Sequence, residues 1–453
     1  MPTGVHDHAG MVRRTREKWL WTNFTVIALG VWLAISPATF GYRGAAMVWN
    51  DVSSGALLVL FATISLRPSP RADFWGRWTV AVIGGWLQFA PLVFWAPNPV
   101  IYANDTLVGA FAIALSILVP MMPGMAHHMA MMQPGPEIPP GWTYNPSSWH
   151  QRAPIIALGF AGWFISRYLA AVQLGYIEAA WEPFFGSGTD RVLHSEISRM
   201  WPISDAGLGA AAYTFETLMG FMGGVTRWRS MPWMVTFFGI LVVPLGITHI
   251  VLVILQPVVV GAWCTFCLAA ATMMLMMIPL TLDEVVAMIQ FMVLAGREGK
   301  PLWRTFWVGD TISGGARDER TPRYGSPLAP MIPAMTWGVT APWSLCASTL
   351  LGGWVMFSPS VFRAQAAAAD NEHLVGALIV TIAVISMAEV VRVGRWLNLV
   401  LGVWLLISPW LLSGTSPGQR WNDVLVGAAI GALSAFRGTV RERYGTWDRA
   451  VGW

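Results

Sequence analysis

Two thiols three residues apart, in the run Trp263-Cys264-Thr265-Phe266-Cys267, are the side chains of this chain best suited to chemistry. With only three cysteines in 453 residues, the pairing is not a by-product of abundance. In a soluble protein a C-x-x-C reads as a metal knuckle or a thioredoxin-like redox motif. At the mouth of a membrane helix it reads as a dithiol exchanging electrons with something dissolved in the lipid. Which of these applies depends on the segment that carries the pair.

That segment belongs to a chain built for a bilayer. Residues of the set AVILMFWYC make up 55% and charged residues 11%, against about 25% charge in soluble domains. Mean hydropathy is +0.53, which places the chain among all-α polytopic membrane proteins. Its 27 Trp suit many passages through two interfacial aromatic belts. The net charge of +4 does not point to nucleic acid, because the Arg residues sit in short inter-helix loops. The first 18 residues are polar, with Arg13, Arg14, Arg16 and Lys18, and a full-length apolar span follows. No small-residue cleavage pattern succeeds it, so a retained first helix is expected rather than a removed signal.

A repeat organises the two ends. The segment from Gly30 through Trp32 to Ser36-Pro37 returns at Gly84, Trp86 and Ala90-Pro91. It returns again at Gly352, Trp354 and Ser358-Pro359, and at Gly402, Trp404 and Ser408-Pro409. Each Trp precedes its Pro by five residues. An Asn-acid pair follows in every copy: Asn50-Asp51, Asn104-Asp105, Asn371-Glu372 and Asn422-Asp423. A Gly stands five residues after each Asn, at Gly55, Gly109, Gly376 and Gly427. The pattern predicts helical hairpins. The first helix ends near Ser-Pro, where proline removes a donor. The Asn-acid pair is expected to cap the return helix.

Four apolar runs lie between the repeats: Ile155–Tyr176, Ala206–Gly223, Met234–Leu255 and Val258–Leu280. Each approaches or exceeds the ~20 residues needed to cross a bilayer. The expected total is about 12 transmembrane helices, four plus four plus four. Positive charge supports that count. If the N-terminal Arg cluster is cytoplasmic, alternate loops are basic: Arg67, Arg71 and Arg77; Arg152; Arg227 and Arg229; Arg297, Lys300 and Arg304; Arg392 and Arg395; Arg437, Arg441 and Arg443. Both termini are then cytoplasmic. Asp283–Gly296, short and acidic, is expected to lie at the cytoplasmic interface. Cys264 and Cys267 open an outside-to-inside span, so they are expected at the outer face of a bacterial plasma membrane, where disulfides persist. A helix N-terminus also favours a thiolate. Cys346 is expected to be a small buried apolar residue.

The expected division has a tail at 1–18, repeats 1 and 2 at 19–122 and a Met/His- and Pro-rich linker at 123–150. A four-helix domain with the C-x-x-C follows at 151–295, then a linker at 296–341, repeats 3 and 4 at 342–438 and a tail at 439–453.

The repeat resembles the SPW-repeat membrane family, whose tripeptide only Ser408-Pro409-Trp410 spells in full. The central block resembles the vitamin K epoxide reductase family. It has four spans, a long outer loop after the first and a C-x-x-C opening the fourth. Trp201 to Gly209 followed by Tyr213 resembles that family's approach to its second span. The resemblance implies a membrane quinone, ubiquinone or menaquinone, as electron acceptor, and a thioredoxin-like extracytoplasmic partner. It implies that Cys267 faces the quinone, that Cys264 exchanges with the partner, and that Asp205, Tyr213, Phe266 and Trp263 lie around the quinone. Asp205 stands about where the family places an Asn, and an Asp would donate to a carbonyl only when protonated. The family usually carries a further cysteine pair in the outer loop. Here Gly175–Ser204 holds Glu178, Glu182, Asp190, Arg191, His194 and Glu196, expected to be solvated, and no cysteine.

Three readings of the pair therefore stand: direct exchange of Cys264 with an external thiol, a structural staple, or metal binding. No further soft ligand is near for the last, and no bound metal is expected. A rival centre is Met125, His127, His128 and Met129, soft ligands of the kind that select Cu(I). The alternatives are thus a quinone-coupled thiol oxidoreductase, or a non-catalytic scaffold or copper-handling protein. Glu216 and Glu389 are the main acids within spans, each a functional candidate by default.

Overall fold

The computed structural model describes residues 4–42, 44–118, 135–323 and 325–452, with side chains from residue 17 onward. The copper candidate Met125, His127, His128 and Met129 lies outside the described residues. The fold is helical, and among the described residues only isolated bridges take the place of strands.

Helices α1 (Gly4–Phe40) and α2 (Ala45–Ser65) form one hairpin, and α3 (Pro70–Val93) and α4 (Pro99–Ile113) the next. The central block contributes α5 (Trp149–Gln173), short α6 (Gly188–Leu193), α7 (Asp205–Phe221), α8 (Pro232–Leu255) and α9 (Thr265–Arg297). The last repeats give α10 (Trp343–Phe362), α11 (Ala366–Ile385), α12 (Arg395–Leu411) and α13 (Pro417–Ala435). Among the described residues nine helices are long and apolar enough to cross a membrane. The three other expected spans fall on α3, which carries Arg71, Asp73 and Arg77, and on the shorter α7 and α13.

The repeats pack glycine on glycine. A Cβ on Gly55 would stand 2.5 Å from the Gly30 carbonyl, and one on Gly109 the same distance from Gly84 O. The later copies match: Gly376 to Gly352 O is 2.6 Å and Gly427 to Gly402 O is 2.7 Å. Only hydrogen fits at such crossings.

The expected Asn-acid cap is not what forms. Each Asn stands five residues on from the first residue of its helix, and the caps are Gly44, Asn98, Gln365 and Ser416. Asn98 and Ser416 accept the N–H groups of Ile101 and Gln419 at 3.0 and 3.2 Å. The return helices start earlier than expected because Gly44, the Pro99 and Pro417 first positions and the alanine run from Ala366 already favour initiation. The Asn side chains are thereby freed to link hairpins. The indole of Trp32 donates to Asn104 and that of Trp86 to Asn50, both at 2.8 Å. In the second pair Trp354 donates to Asn422 at 2.8 Å and Trp404 to Asn371 at 2.7 Å. Each hairpin thus holds its neighbour reciprocally. Asp51 and Asp105 face one another in the first pair, as Glu372 and Asp423 do in the second. The first helices also run two or three residues past their Pro before ending.

Two compact units result. One comprises the described residues of Met1–Pro134, Ser166–Ala179 and Glu196–Gly223; the other comprises Gly135–Ile165, Ala180–Ser195 and the described residues from Gly224 on. The central block contributes to both.

Asp283–Gly296 is not a separate interfacial helix. It continues the span without a break, as the second half of the 33-residue α9. At 1.5 Å per residue α9 is about 50 Å long, well beyond a ~30 Å hydrocarbon core. Its acids find protein partners instead of lying flat at the membrane. Glu284 takes Arg227 in a two-pronged pair, both bonds 2.6 Å, and accepts from Ser147. Asp283 accepts from the Tyr144 hydroxyl at 2.5 Å. Gln290 accepts from the Trp142 indole at 2.6 Å and donates to Tyr444 O at 2.8 Å. Glu389 is likewise occupied, by the N–H groups of Arg441 and Glu442 and the Tyr444 hydroxyl.

Candidate redox site

The chain reaches the thiols through a break that its own sequence dictates. Helix α8 continues into a π-helical turn, Gln256–Val260, where Pro257 offers no N–H to the ladder. Gly261 then takes φ +64°, a conformation that suits glycine and ends the turn. Val258–Val260 therefore close the previous helix rather than open the next, and Cys264 itself is the N-cap of α9. The helix thus starts at Thr265, seven residues beyond the expected Val258.

The two cysteines form a disulfide. Cys264 is fully buried and Cys267, one turn inside the helix, is partly exposed. The sulfur of Cys264 accepts the Cys267 N–H at 3.0 Å, filling the place of a capping oxygen. Gln256, buried at the end of α8, accepts the Cys264 N–H at 2.9 Å through Oε1. The cap is thus fixed by an amide that reaches back from the preceding helix.

A third group comes from the loop between α5 and α7. Glu182 accepts the backbone N–H of Thr265 at 3.1 Å and also its hydroxyl. On the loop side it accepts the Thr189 hydroxyl and the N–H groups of Phe184 and Phe185 at 3.1 and 3.2 Å. Partial burial would raise this carboxyl, but the donors from Thr189, Thr265 and Phe184 outweigh it and hold the group down at about 2. Glu182, expected to be solvated, is only partly exposed and receives five donors from the protein.

Aromatic rings complete the surroundings. Trp263 packs against Phe185, Phe357 and His373 at centroid distances of 6.4, 5.0 and 5.5 Å. Phe266 lies 5.8 Å from Trp181. Of the residues expected around a quinone, Trp263 and Phe266 thus share the compact unit of the thiols. Asp205 and Tyr213 belong to the other unit. There Asp205 opens α7 and its Oδ1 accepts from Gln173 at 2.6 Å and Ser198 at 2.8 Å. Tyr213 is fully buried on the same helix. Glu216, one turn further on, is fully buried, and neither carboxylate oxygen has a hydrogen-bond partner among the described residues. Cys346 is half-buried rather than buried, its sulfur 3.8 Å from Ala341 O. Among the described residues no three His, Cys, Asp or Glu side chains gather as a metal-holding group.

Sequence reasoning missed Gln256 and Glu182. Gln256 leaves a signal, an amide beside a proline in an otherwise apolar stretch. Glu182 leaves none, since its partner Thr265 lies 83 residues away.

Comparison with known proteins agrees with the two resemblances. Residues 153–282 match the vitamin K epoxide reductase family. Residues 20–119 and 337–437 match the SPW repeat domain. No curated protein and no solved structure matches the chain. The disulfide-capped helix and the glycine-locked hairpins therefore belong to a membrane protein in which a segment similar to the vitamin K epoxide reductase family lies between two segments similar to the SPW repeat domain.

Proposed function

We propose that the protein is a thiol-disulfide oxidoreductase coupling Cys264 and Cys267 to a membrane quinone, ubiquinone or menaquinone. In this reading twelve spans place both termini in the cytoplasm of a bacterial cell and the C-x-x-C at the extracytoplasmic side. The observation that carries it is a disulfide at the N-cap of a membrane helix, with one sulfur partly exposed and the other enclosed.

The electron count closes in two steps. A thiolate of an extracytoplasmic, thioredoxin-like partner attacks one sulfur, and a second partner thiol resolves the mixed disulfide. The partner is oxidised and the Cys264–Cys267 dithiol is formed. That dithiol then gives two electrons and two protons to the quinone, yielding quinol and restoring the disulfide. Cys267, the more exposed sulfur, faces the quinone beside Phe266. Cys264 is the exchanging sulfur, its thiolate stabilised by the Cys267 N–H and the positive end of α9. Oxidation of partner thiols is the direction favoured by an oxidising compartment.

The enclosure of Cys264 supports a second reading, in which the disulfide is a staple within a non-catalytic scaffold. Purified protein in lipid, supplied with a reduced dithiol and a soluble quinone, separates the two. The enzyme reading expects quinol formation that is lost in C264A and in C267A. Equal rates in the wild type and both variants overturn it.

A further inference from the structure

Cys264 cannot exchange while it is enclosed, so whatever encloses it governs the reaction. The segment Trp181–Leu193 packs on both chain neighbours of Cys264, on Trp263 and on Thr265 and Phe266, and this cover is attached noncovalently because it contains no cysteine. Gly188, at the start of α6, sits directly on the backbone before the motif: a Cβ there would stand 1.9 Å from the Trp263 carbonyl. Trp181 and Phe185 lay their rings against Phe266 and Trp263. Arg191 reaches the carbonyls of Val260 and Gly261 at 3.4 and 3.3 Å, the long end of hydrogen bonding. The short charged bonds all meet at Glu182.

We infer that Glu182 is a positioning residue, a latch whose carboxylate ties the cover segment to Thr265 and so controls access to Cys264. The inference rests on the reading of this disulfide as the redox centre only for the latch's purpose; the latch itself is a matter of geometry. Three of its bonds hold the cover together, at Thr189, Phe184 and Phe185, and two grip the first residue of α9. The carboxylate joins the two through charge-assisted bonds, roughly twice as strong as neutral ones. Its negative charge also lies one residue from the capping sulfur, where it opposes the thiolate that the helix end favours. The same group therefore holds the cover down and sets a negative charge against the enclosed sulfur. Opening the cover for a partner releases both constraints together.

The test uses the full chain in lipid, in a C346S background so that only the pair is read. The disulfide is reduced by a membrane-impermeant phosphine and trapped with a bulky maleimide, with no quinone present. The latch predicts reduction at least about tenfold faster in E182A, the scale expected when a charged hydrogen-bond network is lost. E182Q, which keeps an acceptor oxygen without the charge, falls between, and T189V, which removes one grip on the cover, gives a smaller increase. The exposed loop acid Glu178 serves as a control, E178A reducing at the wild-type rate. Equal rates in wild type and E182A overturn the latch, as does an E178A rate that rises with E182A. Because no quinone takes part, this result is independent of whether the protein proves to be a quinone-coupled enzyme.

Discussion

The repeat pairs and the thiol site solve the same problem, polar groups inside a membrane protein, in opposite ways. In the repeats every hairpin answers its neighbour with the same residues: Trp32 to Asn104 and Trp86 to Asn50, then Trp354 to Asn422 and Trp404 to Asn371. The solution is self-complementary and occurs twice. Around the disulfide nothing repeats. Gln256 comes from the preceding helix, Glu182 from a distant loop, and the Cys267 N–H from the next turn. A symmetric network serves packing, because it is satisfied by the fold alone. A one-off network that converges on a single bond is what the proposed chemistry needs. On that reading the repeats are the frame of this molecule and the helix end is its working part.

Each network is most vulnerable at a few side chains. The largest stability effect is expected below the thiols on α9, where E284A removes the ion-pair partner of the buried Arg227 guanidinium. Removing one partner of such a pair costs about 3–5 kcal/mol, read as a fall in melting temperature in detergent or lipid. Next come the glycine crossings. G55A drives a methyl into the Gly30 carbonyl, at a cost of about 1–3 kcal/mol, and G376A does the same in the other pair. Smaller again is the reciprocal bond: a double-mutant cycle between Trp86 and Asn50 is expected to couple by about 0.5–1.5 kcal/mol. The same cycle between Trp32 and Asn50, residues of one repeat copy, is expected to show none. Equal couplings in the two cycles would remove the exchanged pairing.

The smallest effect is a flat line. Glu182 titrates at about 2, below the ordinary glutamate range, so its stabilisation is complete above that range and fades only as pH falls toward 2. Reduction of the disulfide by the phosphine is therefore expected to show no Glu182-dependent step between pH 8 and 5. A step that E182Q abolishes within that window would contradict the assignment.

What the sequence discloses follows from where the information lies. The four copies of Gly, Trp, Ser-Pro and Asn are local and periodic, so the hairpins could be read before any coordinates. The role of Asn50 could not, because its partner Trp86 sits in another copy, and local capping rules pointed to a nearer N–H. The thiols were legible from their spacing. Their exact helical register was not, since the apolar run from Met234 to Leu280 hides the π-helical turn at Gln256. The partner of Asp283 was hidden for the same reason as that of Glu182. Tyr144 is 139 residues away and belongs to a segment that reads as a linker.

The proposed function requires that the Cys264–Cys267 bond turn over with a lipid-soluble oxidant. Maleimide gel-shift trapping of the C346S protein in native membranes, with quinone supply switched off and then restored, tests it most directly. The reduced pair is expected to accumulate without quinone and to return to the disulfide when quinone is restored. A pair that stays oxidised throughout, in the wild type and in E182A alike, would contradict it and leave the bond as a staple.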